Sequence, residues 1–173
     1  ITFQQADLGN VPRILDMKPE IARHICVMAV NFAYMFSTDY FIAELDKLEG
    51  LYDDEGAPVD KTALMDKLYS KEIFSFGILE LNILAQGFTS QRYRIAIYEE
   101  YYPSFYWNRM HYNAGVTFFH ELGHSLGYDH ASNMTQNNHN ETLWPPFCTD
   151  RYMELCSRAD LPVFEDIVSD LPR

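Results

Sequence analysis

The segment HELGHSLGYDH, residues 120 to 130, contains three of the chain's six histidines within eleven residues. Residues four apart in an α-helix lie one turn above each other, so His120 and His124 present their imidazoles to the same point. Gly127 supplies a left-handed position that ends the helix, and the chain can then turn so that His130 approaches that point. The spacing therefore predicts a metal site with three imidazole ligands.

Glu121 follows the first of these histidines and is rotated from it by about 100° around the helix axis. This rotation places the carboxylate beside the metal, within reach of a metal-bound water. Three neutral imidazoles and one open position are typical of catalytic zinc, whereas structural sites usually have four protein ligands and commonly use thiolates. Zinc lowers the pKa of its water toward about 7, and a carboxylate can take the proton as the water attacks a carbonyl. We therefore expect Zn²⁺ as the cofactor and Glu121 as the general base.

The same segment resembles a known family. It matches HExxHxxGxxH, the signature of the metzincin clan of zinc endopeptidases, at every fixed position. The sequence of the motif is particularly similar to that of matrixins. The resemblance implies that His120, His124 and His130 are the zinc ligands and that Glu121 is the general base. No further metal ligand is assigned.

The resemblance also implies the fold. We expect an α+β (mixed α/β) fold, a metzincin-like zincin catalytic domain with a twisted mixed sheet, a long active-site helix and a small irregular C-terminal lobe. A single zinc metallopeptidase domain would then cover residues 1–173. Its upper lobe would cover about 1–127 and its lower lobe about 128–173, with the substrate cleft between them.

Metzincins carry a methionine in a tight turn beneath the metal, and two residues are candidates for it. Met134, in HASNMTQ, closely follows the third histidine and resembles a shortened form of the matrixin arrangement. Met153, in DRYMELC, lies in a helical pattern where its ordinary role is packing, so we favour Met134. Gln136 occupies the position where astacin-like members place a tyrosine. Any tyrosine hydroxyl that stabilises the oxyanion would therefore come from Tyr152 or from the 98–112 loop.

Composition limits the classes of partner. The 173 residues are 47% hydrophobic, which fits one globular domain with a substantial core. A formal net charge of −12 and a pI near 4.7 argue against nucleic-acid binding, because phosphate contacts need a basic surface. No window of 18 uninterrupted apolar residues predicts a transmembrane segment. We expect a monomer that acts on a protein or peptide substrate.

Three cysteines are too few for a disulfide scaffold. Cys148 and Cys156 lie close enough in sequence to bridge or to remain as thiols, whereas Cys26 lies in an apolar helical pattern and is expected to be a buried thiol. The possible bridge and the family resemblance together favour a secreted or periplasmic protein. Ile1 in place of Met also fits a processed chain.

Hydrophobic periodicity predicts the elements that position the site. One helical pattern begins at Pro19, and two others cover Phe41–Leu48 and residues 61–70. Strand patterns cover EIFSFGILEL and RYRIAIY, and we expect the second to be an edge strand along which a peptide substrate binds. A loop leads into the histidine helix, and a short helix from about Asp150 to Arg158 follows it.

These observations leave three functions open. The preferred one is a zinc-dependent endopeptidase that hydrolyses peptide bonds with a zinc-bound water activated by Glu121. A zinc amidase that acts on cell-wall peptides or another non-protein amide would use the same groups. A non-catalytic binding module that contains zinc is the third, and Glu121 argues against it because a structural site needs no base.

Overall fold

The computed structural model describes residues 14–15, 30–70, 75–79, 85–87, 94–98, 112–136, 141–158 and 160–161. Within these ranges there are five helices and four short strands. The described part of α1 covers 30–37, and the other helices are α2 (Asp39–Lys47), α3 (Lys61–Tyr69), α4 (Tyr112–Ser125) and α5 (Trp144–Ser157). The strands are β1 (Ile14–Leu15), β2 (Ser75–Leu79), β3 (Ala85–Gly87) and β4 (Arg94–Tyr98).

Side-chain caps start α2 and α3. The Thr38 hydroxyl accepts a hydrogen bond from the backbone N–H of Phe41 at 3.1 Å, and the Asp60 carboxylate accepts from the first turn of α3. Such caps satisfy backbone donors that have no partner within the helix. They confirm the predicted second and third helices, although α2 begins two residues before Phe41. The predicted helix start at Pro19 lies outside the described residues.

The core is built where α1 meets α4 and α5. The ring of Phe32 lies 4.5 Å from that of Phe118 and 5.1 Å from that of Phe119, between centroids. Phe36 stacks nearly parallel to Trp144 at 6.2 Å. Aromatic pairs at such distances contribute about 0.5–1.5 kcal/mol each beyond the burial of their surface. The helix that carries the histidines is therefore held on its apolar side by a cluster of rings.

The strands pair along their backbones in the order β1-β2-β4-β3. β2 and β4 run parallel, while β1 and β3 pair antiparallel with β2 and β4, respectively. β4 therefore has a neighbour on each side, and the prediction that RYRIAIY forms an edge is wrong. Alternation along a strand indicates which side chains share a face, but it carries no information about neighbouring strands.

The predicted fold class, an α+β metzincin-like zincin domain framed by a twisted mixed sheet, is also wrong. The five helices account for 54 of the 101 described residues. The side chains described as a buried apolar core lie on helices and on the loops that join them. The strands are pieces of only two to five residues. The described core is therefore packed helix against helix, because aromatic faces of α1, α4 and α5 meet one another. The predicted division into two lobes at Gly127 stays a prediction.

α5 begins earlier than the predicted start at Asp150. It starts at Trp144, and Pro145 and Pro146 occupy its first turn. Proline fits this turn because its fixed φ is helical and its missing N–H would have had no partner there. None of the helices in the described ranges is long and apolar enough to cross a membrane.

The longer α5 excludes the possible disulfide. Cys148 and Cys156 both lie on this helix and are not bonded to each other. Eight residues of α-helix rise about 12 Å, whereas a disulfide needs Cα atoms within about 7 Å. The bridge is therefore wrong, and full burial raises the pKa of the Cys148 thiol well above its usual value. Cys26 lies outside the described residues.

α4 and α5 approach closely at Gly115. A Cβ atom at this position would lie 2.7 Å from Cγ2 of Thr149 on α5, which is closer than such atoms can approach. Thr149 cannot easily turn aside, because its hydroxyl donates to the carbonyl of Pro145 at 2.7 Å. The absence of a side chain at position 115 therefore sets the spacing between the two helices.

We predict that Gly115→Ala destabilises the protein. Alanine favours the helix by about 1 kcal/mol, but overpacking against α5 costs about 1–3 kcal/mol, so we expect a net loss of up to roughly 2 kcal/mol. Urea unfolding measures this loss. Thr149→Ser removes Cγ2 and should recover much of the stability in the double variant. A Gly115→Ala protein that is more stable than the parent would contradict the close approach.

Candidate metal centre

The structure brings the three predicted histidines together. The Nε2 atom of His130 lies 3.0 Å from Nε2 of His124 and 3.3 Å from Nε2 of His120. The potential ligand atoms all lie within 4.8 Å of one another. Two imidazoles bound to one tetrahedral ion at 2.0–2.1 Å would have their nitrogens roughly 3.3 Å apart. The cluster therefore has the dimensions of a site that could hold a metal ion.

A Schellman turn ends α4 immediately after the second histidine. The backbone N–H of Tyr128 donates to the carbonyl of Gly123 at 3.2 Å, and that of Gly127 donates to the carbonyl of His124 at 2.9 Å. Gly127 has a backbone φ of +98°, which residues other than glycine adopt only at a cost in free energy. The left-handed position predicted for Gly127 is confirmed, and the turn directs the chain back toward the cluster.

The same turn orients one of the ligands. Nδ1 of His124 lies 2.8 Å from the carbonyl oxygen of Tyr128. Because a carbonyl only accepts, Nδ1 carries the proton and the lone pair of Nε2 points into the cluster. Burial lowers the pKa of His124, as does the charge of His130, while the hydrogen bond to Tyr128 opposes them. The net effect favours the neutral imidazole, which is the form that binds a metal.

The cluster is open on one side. His124 is buried and His120 is partly buried, whereas 47% of the His130 side chain is exposed. Within the described ranges no cysteine, carboxylate or further histidine joins the three imidazoles. A bound ion would therefore keep a position that water or a substrate can reach from solvent.

Glu121, the predicted general base, is buried on α4 with 8% of its surface exposed. Burying a carboxylate costs free energy unless it is hydrogen-bonded or paired. Glu121 directly follows His120 in the cluster of three histidines. Its role as the base stays a prediction.

The segment after His130 packs beneath α4. A Cβ atom at Gly123 would lie 2.5 Å from Cγ2 of Thr135 and 3.0 Å from the carbonyl oxygen of Met134. Met134 is fully buried in this segment, whereas Met153 is 38% exposed on α5. The buried candidate is therefore the one that lies against the ligand helix, and its assignment as the methionine beneath the metal stays a prediction.

The candidate oxyanion-stabilising tyrosine on α5 is part of the core. Tyr152 is buried and packs edge-on against Phe32 at 5.1 Å. Gln136, which occupies the tyrosine position of the related pattern, donates to the carboxylate of Glu141 at 3.0 Å. Apart from Tyr98 and Tyr112 at its ends, the aromatic loop over 98–112 lies outside the described residues.

Sequence reasoning missed the contacts that anchor this segment. The side chain of Asn133 accepts from the backbone N–H of Tyr52 at 2.9 Å and donates to the carbonyl of Gly50 at 2.7 Å. The Asp54 carboxylate accepts from the backbone of Asp129 and of Ser132. The turn residues of the segment YDDEGAPVD, residues 52–60, indicate a turn without indicating what the turn contacts.

Comparison of the chain with protein-family models, with curated proteins and with solved structures gives no match. The case for the site therefore depends on the geometry of its own residues.

We predict that the two methionines differ sharply in their contribution to stability. Met134→Ala empties a fully buried position and should cost about 2–5 kcal/mol of unfolding free energy. Met153→Ala is the matched control and should change it by less than about 0.5 kcal/mol, because the side chain is exposed. Denaturant unfolding of both variants measures the difference. Equal effects would mean that Met134 does not support the segment beneath α4.

Proposed function

We propose that this protein is a zinc-dependent endopeptidase that hydrolyses protein or peptide substrates. The observation that carries the proposal is the convergence of three Nε2 atoms on one point that is open to solvent. Three protein ligands and an open position are typical of catalytic zinc, and neutral imidazoles suit this metal. The resemblance of the HELGHSLGYDH motif to metzincins adds the choice of substrate, a peptide bond.

The residues of the chain would divide the work. His120, His124 and His130 would hold the metal, and the Tyr128 carbonyl would keep the second of them in its metal-binding tautomer. Zinc bound here would supply a Lewis acid that polarises the scissile carbonyl and acidifies a water. Glu121 would accept the proton of the attacking water and pass it to the leaving amine, which is general acid–base catalysis.

A secreted or periplasmic location is part of the same proposal. It now rests on the motif resemblance alone, because Cys148 and Cys156 do not bridge.

We predict that zinc is bound at about one ion per chain and is lost on acidification. Protons compete with the metal for each Nε2 atom, so below the imidazole pKa values the apparent affinity should fall by up to roughly 10³ per pH unit for three ligands. The lowered pKa of His124 delays its protonation to lower pH and keeps the site competent at neutral pH. Because this folded-state pKa lies below the unfolded one, acid also destabilises the metal-free fold. Dialysis at stepped pH with metal analysis tests the prediction.

Two tightly held ions per chain, or none after zinc loading at neutral pH, would contradict it. An affinity independent of pH between about 5 and 8 would also exclude imidazole ligands.

We predict that catalysis and metal binding separate in two variants. Glu121→Gln preserves the shape of the side chain but removes the base, which typically costs 10²- to 10⁴-fold in rate, while zinc affinity should stay within a few-fold of the parent. His130→Ala removes an exposed ligand and should abolish both activity and tight zinc binding. Glu49→Gln is the control, because it removes an equal charge from an exposed position. Peptide-library cleavage and zinc titration provide the two measurements.

The outcomes distinguish the candidate functions. Cleavage of casein-like proteins that a chelator abolishes supports an endopeptidase. Cleavage of peptidoglycan fragments alone would make the protein an amidase. A zinc-loaded parent that cleaves neither, or a Glu121→Gln variant as active as the parent, would overturn the proposed mechanism.

A further inference from the structure

His130 differs from the other two histidines because no helix holds it. His120 and His124 are fixed one turn apart on α4, while His130 lies in the loop after the helix with an exposed side chain. Fixing the backbone of one loop residue costs about 1–2 kcal/mol of conformational entropy. The loop therefore needs an anchor if its imidazole is to stay at the cluster.

Asp54 supplies contacts on both sides of His130. Its Oδ1 and Oδ2 atoms each lie 2.9 Å from the backbone nitrogen of Asp129, and Oδ1 lies 3.1 Å from that of Ser132. An ionised acceptor makes hydrogen bonds about twice as strong as those between neutral groups. One carboxylate thus holds the residue before the histidine and the residue two positions after it.

The loop that carries Asp54 is itself held in place. The backbone N–H of Asp53 donates to the carbonyl of Ala57 at 2.8 Å, and the Asp53 side chain accepts from the backbone of Glu55 and Ala57. The backbone N–H of Tyr52 donates to the side chain of Asn133, in the same segment as the histidine. The anchor therefore belongs to a preformed turn that is docked on the site.

We propose that Asp54 is a positioning residue of the metal centre, which strengthens metal binding by holding His130 at the cluster. It acts through the backbone around the histidine and does not belong to the group of potential ligands. The inference rests on the metal-binding part of the proposed function and does not depend on peptide cleavage. Partners that orient a metal ligand typically change metal affinity by 10- to 100-fold.

An exposed glutamate in the same turn makes a matched control possible. Asp54→Asn replaces one accepting oxygen with a donor that faces a backbone N–H, and it should weaken zinc binding by about 10- to 100-fold. Glu55→Gln makes the same change of charge one residue away, on an exposed side chain. Its zinc affinity should remain within about three-fold of the parent. Competition with a chelator at constant pH and salt measures both affinities.

A double-mutant cycle shows whether Asp54 acts through the histidine. In a His130→Ala background, Asp54→Asn should leave the residual zinc affinity unchanged within about two-fold, because the anchor then has no ligand to position. The visible spectrum of the cobalt-loaded protein gives a second readout. The spectrum of Asp54→Asn should move toward that of His130→Ala, a change that a merely less stable fold would not produce.

The thermal midpoint of each metal-free variant, with Asp54→Ser as a second substitution, separates folding from positioning. Parent-like affinity in a folded Asp54→Asn protein, an equal loss in Glu55→Gln, or a loss that persists without His130 would overturn the inference. Unfolding of both Asp54 variants would assign the residue to the fold and would also overturn the inference.

A parent that binds no zinc would refute this inference and the proposed function together. Zinc binding with the expected Asp54 effect but no cleavage would refute only the proposed function.

Discussion

The reversal of the chain at Gly127 is the constraint on which the site depends. Two histidines on α4 define a line, and a third ligand must come from elsewhere to define a site. The Schellman turn provides it within six residues of His124, because a glycine at φ +98° lets the helix end and the chain fold back. The turn also brings the Tyr128 carbonyl within hydrogen-bonding distance of Nδ1 of His124. Helix termination, ligand orientation and the approach of His130 are therefore consequences of one local conformation.

The rest of the described structure keeps this turn from unwinding. Lys67 on α3 donates to the carbonyl of Leu126 at 3.1 Å, and its ammonium lies 5.0 Å from the centre of the Tyr128 ring. A cation at the C-terminal end of a helix also interacts favourably with the helix dipole. Below the turn, the missing side chain of Gly123 lets the segment around Met134 pack against α4. The helix that carries the ligands is thus supported from several directions, and the loop side stays open.

The sequence predicted the local part of this arrangement and failed for the parts that depend on distant contacts. The spacing of His120 and His124 and the need for glycine at 127 follow from helix geometry, which a short segment contains in full. The neighbours of β4 and the helical core depend on which surfaces meet, and periodicity does not report that. The predicted start at Asp150 left Cys148 outside the helix, and that error also allowed the bridge between Cys148 and Cys156. The Asp54 anchor joins residues 75 positions apart, so no local pattern contains it.

The three histidines are not chemically equivalent. The proton on Nδ1 of His124 is fixed by a backbone carbonyl, so its Nε2 atom has a lone pair whether or not a metal is bound. The 3.0 Å contact with Nε2 of His130 is then a hydrogen bond only when the His130 nitrogen carries the proton. A metal bound here would displace that proton, and Nδ1 of His130, which lies 3.8 Å from the carboxylate of Asp129, could hold it. The buried histidine would therefore be preset for a metal, whereas the exposed histidine would have to change tautomer.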